Sequence, residues 1–153
     1  MSARSDSVCK YICEAGDWRL TNLQLQKLLY MSQMAYYGLH NDRLTDLNFE
    51  AWEYGPVAPR VYRQVRMFGA SPIRDVFTEA LPFASGSARL EVLQDVCRDL
   101  LPFPPGDLVE ITHWGGGAWA KYYEPGVKGI RIPDHALAEE FAARVKDGQI
   151  KPS

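Results

Sequence analysis

At 153 residues, 46% of them hydrophobic, the chain is sized for one domain with a continuous core. Nowhere does it hold the roughly 18–20 uninterrupted apolar residues of a membrane span. Its 17 basic and 19 acidic side chains leave a formal net charge of −2, which excludes a global field that would gather a polyanion.

Met1–Lys10 has no basic stretch followed by an apolar run, so no export leader is expected and a cytoplasmic home follows. The odd set Cys9, Cys13 and Cys97 then reads as reduced thiols that pack as small apolar residues, not as a disulfide framework. Val8, Ile12 and Ala15 recur at helical spacing ahead of Gly16, a plausible C-terminal stop. The clearest helix follows. Thr21 and Gln24 are spaced as a capping box, Leu20 and Leu25 as a hydrophobic staple, and Leu25, Leu28, Leu29, Ser32, Tyr36 and Leu39 share a face, with Gly38 placed to end the helix in a left-handed conformation.

Between Leu44 and Val57 the period shortens to that of a strand, with Leu47, Phe49, Ala51 and Glu53 on one side and Asn48, Glu50 and Trp52 on the other. Gly55-Pro56 reads as a turn, and Pro59 as the first turn of a helix bearing Val61, Tyr62, Val65 and Phe68 and closed by Gly69. Ser71–Gly86 is a connection with a short helical piece expected around Val76 and Phe77. Leu90, Leu93, Cys97, Leu100 and Leu101 mark another helix, stopped by Pro102, Pro104 and Pro105. A helical turn over Asp107–Trp114, a hinge-like Gly115-Gly116-Gly117, the aromatic cluster Trp119, Tyr122 and Tyr123, and a short strand at Gly129–Ile132 precede a last helix with Asp134 as N-cap and Leu137, Phe141 and Val145 inward. The expected fold is a mainly α (α+β) single compact helical domain, residues 1–153, with a short two-stranded β element.

Catalytic and metal-binding patterns are weak. His40, His113 and His135 are scattered, without the pairing by which a helix presents two ligands to a metal. Gly86-Ser87 lacks the flanking glycines of a nucleophile elbow, and no Lys-Ser/Thr follows Gly115–Gly117 as a phosphate loop requires. His113 near Asp107 and Glu110 allows an acid/base group, but a structural hydrogen bond from His113 to backbone is the stronger reading. No catalytic residue, metal or cofactor is assigned. Arg60, Arg63 and Arg66 recur every third residue beside Tyr62; they read either as a solvated helix face or as a row that grips an acidic protein surface. Trp52, Tyr54, Trp114, Trp119, Tyr122 and Tyr123 divide between core and interface anchors in a way the sequence leaves open.

Two blocks carry a resemblance. Leu20-Thr21-Asn22-Leu23-Gln24-Leu25-Gln26-Lys27-Leu28-Leu29-Tyr30 and Glu50-Ala51-Trp52-Glu53-Tyr54-Gly55-Pro56-Val57-Ala58-Pro59-Arg60-Val61-Tyr62 resemble, in order, the signature blocks of the SocA/GepA-like (Panacea-domain) antitoxin family; a looser third block spans Leu108–Trp119 with Thr112-His113. The resemblance implies a mainly helical, non-enzymatic protein that binds and neutralises a toxin encoded beside it. It further implies a proteolytic adaptor delivering the toxin to the ClpXP protease. Only Lys146–Ser153 follow Val145, so toxin binding is expected to use the folded surface, at Trp52, Tyr54, Arg60, Arg63 and Arg66. The alternative is a phage- or mobile-element-associated DNA-binding regulator using the arginine row, although no basic recognition helix is visible.

Overall fold

A computed structural model describes residues 3–151; Met1, Ser2, Pro152 and Ser153, which belong to the leader and tail readings, lie outside the described residues. These residues form seven α-helices and three short strands: α1 (Ala3–Ala15), α2 (Asn22–His40), β1 (Phe49–Trp52), β2 (Gly55–Val57), α3 (Pro59–Val65), α4 (Ala88–Leu100), α5 (Pro105–Thr112), α6 (Ala118–Tyr122), β3 (Arg131–Ile132) and α7 (Asp134–Lys146). The architecture is mainly α with a small sheet, and α2 is its axis, packed by α1, α4, α5 and α7.

The start of α2 forms as its residues dictate. Thr21 N–H donates to Gln24 Oε1 at 3.0 Å, and Gln24 N–H points back at Thr21 Oγ1, which closes the capping box. Leu25, Leu28, Leu29 and Met34 are fully buried. Gly38, however, does not end the helix. α2 runs two residues further, to His40, and its C-cap Asn41 takes the left-handed conformation at φ 50°. Gly38 is instead a close-approach residue, since a Cβ there would lie 2.0 Å from Phe141 Cγ of α7. Gly16 likewise packs, on Leu20, while Asp17 and Trp18 take the positive φ that ends α1.

The β element holds a third strand. Its order is β2-β1-β3, both pairs antiparallel, with Ala51 opposite Pro56 and Phe49 opposite Ile132. The turn of the β1–β2 hairpin falls at Glu53-Tyr54, so Gly55-Pro56 opens β2 and does not make the turn. The connection after Gly69 forms no helix at Val76-Phe77. Buried Phe77 plugs the core, and the coil is tied to α1 through side chains: Asp6 accepts from Glu79 N–H at 3.0 Å and Ser7 Oγ from Leu81 N–H at 2.8 Å. Asp134 begins α7 but does not cap it. Pro133 holds the cap position, and the Asp134 carboxylate pairs with Arg43 at 3.2 Å, which ties α7 to the loop after α2.

Polar side chains buried on or against α2 set the long-range geometry. Gln33 donates to Leu47 C=O at 3.0 Å and accepts from Thr45, fixing that loop. Glu140 of α7 accepts from Tyr30 Oη at 2.6 Å, from Ala118 N–H at 2.8 Å and from Arg144 Nε at 2.7 Å, and Arg144 in turn donates to Ile111 C=O at 2.7 Å. Both charges are buried, and each is satisfied by named partners.

Two substitutions test this packing by urea denaturation. Gly38→Ala lowers stability by about 1–3 kcal/mol through overpacking against Phe141, although alanine is the better helix former by about 1 kcal/mol. Glu140→Ala, which strands a buried guanidinium, costs about 3–5 kcal/mol. Unchanged midpoints would contradict both contacts.

Candidate partner-binding groove

Stretches far apart in sequence meet at an open groove of about 540 Å³. The start of α2 forms one wall with Asn22, Leu23, Gln26 and Lys27; the hairpin forms the other with Trp52, Glu53, Tyr54 and Val57. Tyr62 and Arg66, from α3 and the 3-10 turn over Arg66–Phe68 that follows it, close one end. Both resemblance blocks therefore contribute a wall.

Helix side chains hold the hairpin in place. Gln26 accepts from Ala58 N–H at 2.8 Å and donates to Asn22 at 3.1 Å; Lys27 Nζ donates to Pro56 C=O at 3.3 Å. β2 is an edge strand, but its middle residue offers no free ladder group: Pro56 has no N–H, and its carbonyl is taken by Lys27. At this position the edge therefore offers no main-chain group for strand addition.

Lys27 is 1% exposed, and burial pulls its amine down to about 7. The ammonium lies under Gly55, where a Cβ would sit 2.7 Å from Nζ and 3.0 Å from Thr112 Oγ1; with φ at +111°, only glycine suits the position on both counts. His113 adjoins this group. Its imidazole is held below its ordinary value first by burial and then by the Lys27 charge, against a hydrogen bond with the Tyr54 backbone. The Tyr54 backbone is thus near one side of the ring, while Nε2 is buried with no hydrogen-bond partner. Its ring stacks on Trp119 at 3.8 Å and 2°, Trp119 stacks on Tyr123 at 4.7 Å, and the Trp119 indole donates to Trp52 C=O at 2.6 Å. This aromatic tier braces the hairpin from behind.

Of the residues singled out in the sequence, Trp52, Tyr54 and Arg66 come together in the groove. Trp52 is half-buried, edge-on to Tyr62 at 4.9 Å, whereas Tyr54 is 65% exposed at the rim. The arginines divide: Arg60 is held in an ion pair with Asp46, while Arg63 and Arg66 stay exposed. Trp114 packs beneath the Arg144 guanidinium at 4.9 Å. The cysteines are buried with their thiols pushed up, Cys13 to about 12 and Cys97 to about 11, which suits packing and not reactivity.

Leu23, Gln26 and Lys27 read from sequence as helix architecture, yet they line the groove. A signal was available: Lys27 is the one Asp, Glu, Lys or Arg between Asn22 and Gly38, in a stretch otherwise suited to complete burial.

The chain is a member of an antitoxin family. The family model described as "Antitoxin SocA-like, Panacea domain" matches residues 25–120, and the chain belongs to this family. It is 30% identical over 140 residues to Antitoxin SocA of Caulobacter vibrioides (strain NA1000 / CB15N), covering 83% of this chain and 74% of that relative. No solved structure matches it. Among the described residues, no helix is long and apolar enough to cross a membrane.

Lys27 gives this site a pH signature. Unfolded, its amine titrates near 10.5; folded, near 7. Below about pH 7 both states are charged and the whole penalty of burying the charge is present, on the order of 5 kcal/mol at about 1.4 kcal/mol per tenfold change in proton affinity. Between 7 and 10.5 the unfolded chain holds more protons, so stability rises with pH. Lys27→Met accordingly stabilises the protein most at pH 6 and much less at pH 10 in urea titrations. An equal gain at both would contradict a titrating buried amine.

Proposed function

We propose that this chain acts in the cytoplasm by binding, without catalysis, and neutralises a toxin protein encoded beside it through the groove between α2 and the hairpin. Membership of the antitoxin family supports the role. The observation that carries the location is that the segments resembling the family's signature blocks converge on one groove, rimmed by exposed Tyr54, Leu23 and Arg66. Tyrosine, tryptophan and arginine are the side chains that most often anchor protein interfaces. In the sharper form of this reading the chain is a proteolytic adaptor that hands the toxin to ClpXP, which requires a second contact surface for the protease.

Co-expression with the product of the adjacent reading frame tests it. The chain relieves the growth arrest that product causes alone, while Tyr54→Ala and Arg66→Ala, both at exposed positions, lower rescue at least tenfold in plating efficiency with thermal stability unchanged. A neighbour that is harmless alone refutes the reading. Toxin half-life separates the two forms: the adaptor shortens it only when ClpX is present, and equal half-lives with and without ClpX leave a simple blocker.

A further inference from the structure

The two strands of the hairpin are held unevenly. β1 is fastened on both sides: Ala51 N–H donates to Ile130 C=O at 2.9 Å beside β3, and the Trp119 indole of α6 holds the Trp52 carbonyl at 2.6 Å. β2 is an edge strand of three residues, and its middle one, Pro56, has no N–H for the ladder. Two side chains of α2 tie it down: Gln26 accepts from Ala58 N–H at 2.8 Å, and Lys27 donates to Pro56 C=O at 3.3 Å. Lifting β2 uncovers Gly55, Pro56 and Val57 alone, so little apolar burial opposes the movement.

Beneath this strand lie two basic side chains. A Cβ on Gly55 would meet Lys27 Nζ at 2.7 Å and His113 Cδ2 at 3.3 Å, so both sit under one residue, and His113 Nε2 is buried without a hydrogen-bond partner. The charged and titratable groups around them offer no buried counter-ion. α2 has no other Asp, Glu, Lys or Arg between Asn22 and Gly38. The hairpin turn brings Glu53 and Tyr54, both exposed, and α3 with the turn after it brings Tyr62 and Arg66. On α5, Asp107 and Glu110 are exposed, and Glu140 of α7 is engaged by Tyr30 and Arg144. Burial accordingly draws the Lys27 amine down to about 7, and its charge in turn disfavours a proton on His113. With no carboxylate buried beside it, an ammonium here gains most from water, and water enters only if the strand above moves.

We propose that Lys27 is a proton-operated latch: when its buried amine takes up a proton, β2 lifts from α2 and that wall of the groove opens, while β1 and the helices stay in place. The latch is a property of the chain alone, independent of what the groove binds. The neutral amine keeps its bond to the Pro56 carbonyl with no charge to hydrate. The ammonium has three donors, of which Pro56 takes one, and the other two find water once the strand has lifted. In the lifted state the amine returns to near 10.5 and is charged at neutral pH, so opening grows as pH falls and levels off below about 7.

Amide hydrogen exchange on the full chain at pH 6, 7 and 8 reads the latch, with rates expressed as protection factors so that the intrinsic pH dependence of exchange is removed. The Ala58 amide, which Gln26 holds, exchanges by local opening, with protection at least tenfold below that of buried Leu28 and Leu29 on α2. Its protection falls about tenfold from pH 8 to pH 6, the change expected of one group that is charged when exposed and titrates near 7 when covered. Ala51 of β1 keeps the protection of the α2 core. Lys27→Met removes the fall at Ala58. Lys27→Gln, neutral and still able to donate to Pro56, removes it too and guards against a packing defect in the first variant. Ala58 as well protected as Leu28 at every pH, local opening with no pH dependence, a loss shared equally by Ala51, or a fall that survives in both variants overturns the proposal.

Discussion

The carboxylate of Glu140 is where the molecule is fastened together. From α7 it reaches Tyr30 on α2, the first amide of α6 and the guanidinium of Arg144, which extends the contact to the Ile111 carbonyl at the end of α5. One buried charge thus sets the relation of four helices, and its burial is tolerable only because each oxygen has donors. The consequences reach the surface. Fixing the start of α6 fixes Trp119, whose indole holds the Trp52 carbonyl and whose ring stacks on His113. The hairpin that forms one wall of the groove therefore stands where Glu140 allows it to stand.

Local chemistry was legible in the sequence. The capping box at Thr21 and Gln24, the apolar stripe of α2 and the Pro59 start of α3 are decided by residues within a few positions of one another, and the structure places them accordingly. What escaped depends on residues far apart. Nothing near Gly38 tells that Phe141 will lie against it, and nothing near Glu140 announces Tyr30. Gly55-Pro56 carries a turn-forming pair but sits in β2 because Lys27 and Gln26 hold the chain there from another helix. The arginine row divides for a different reason: Arg60 is drawn into an ion pair with Asp46, fourteen residues away, while Arg63 and Arg66 stay exposed.

The site was half legible. Trp52, Tyr54 and Arg66 were singled out as exposed aromatics and cations, the residue types that interfaces use. Lys27 was passed over because a lysine in a helix is ordinarily solvated, and only the absence of other charges around it betrays its burial. The two features that distinguish this groove from ordinary surface, a buried amine and a blunted strand edge, come from one contact, the hydrogen bond from Lys27 to Pro56.

An antitoxin that works through this groove touches its toxin with the hairpin and leaves the outer face of α4, with its exposed Arg98 and acidic neighbours, uncovered. In-cell photo-crosslinking reads this directly, with a photoreactive phenylalanine analogue placed at Tyr54 in one strain and at Arg98 in another, each co-expressing the neighbouring toxin. A covalent adduct with the toxin from the Tyr54 position and none from Arg98 is the predicted result; an adduct from Arg98 alone would contradict the account.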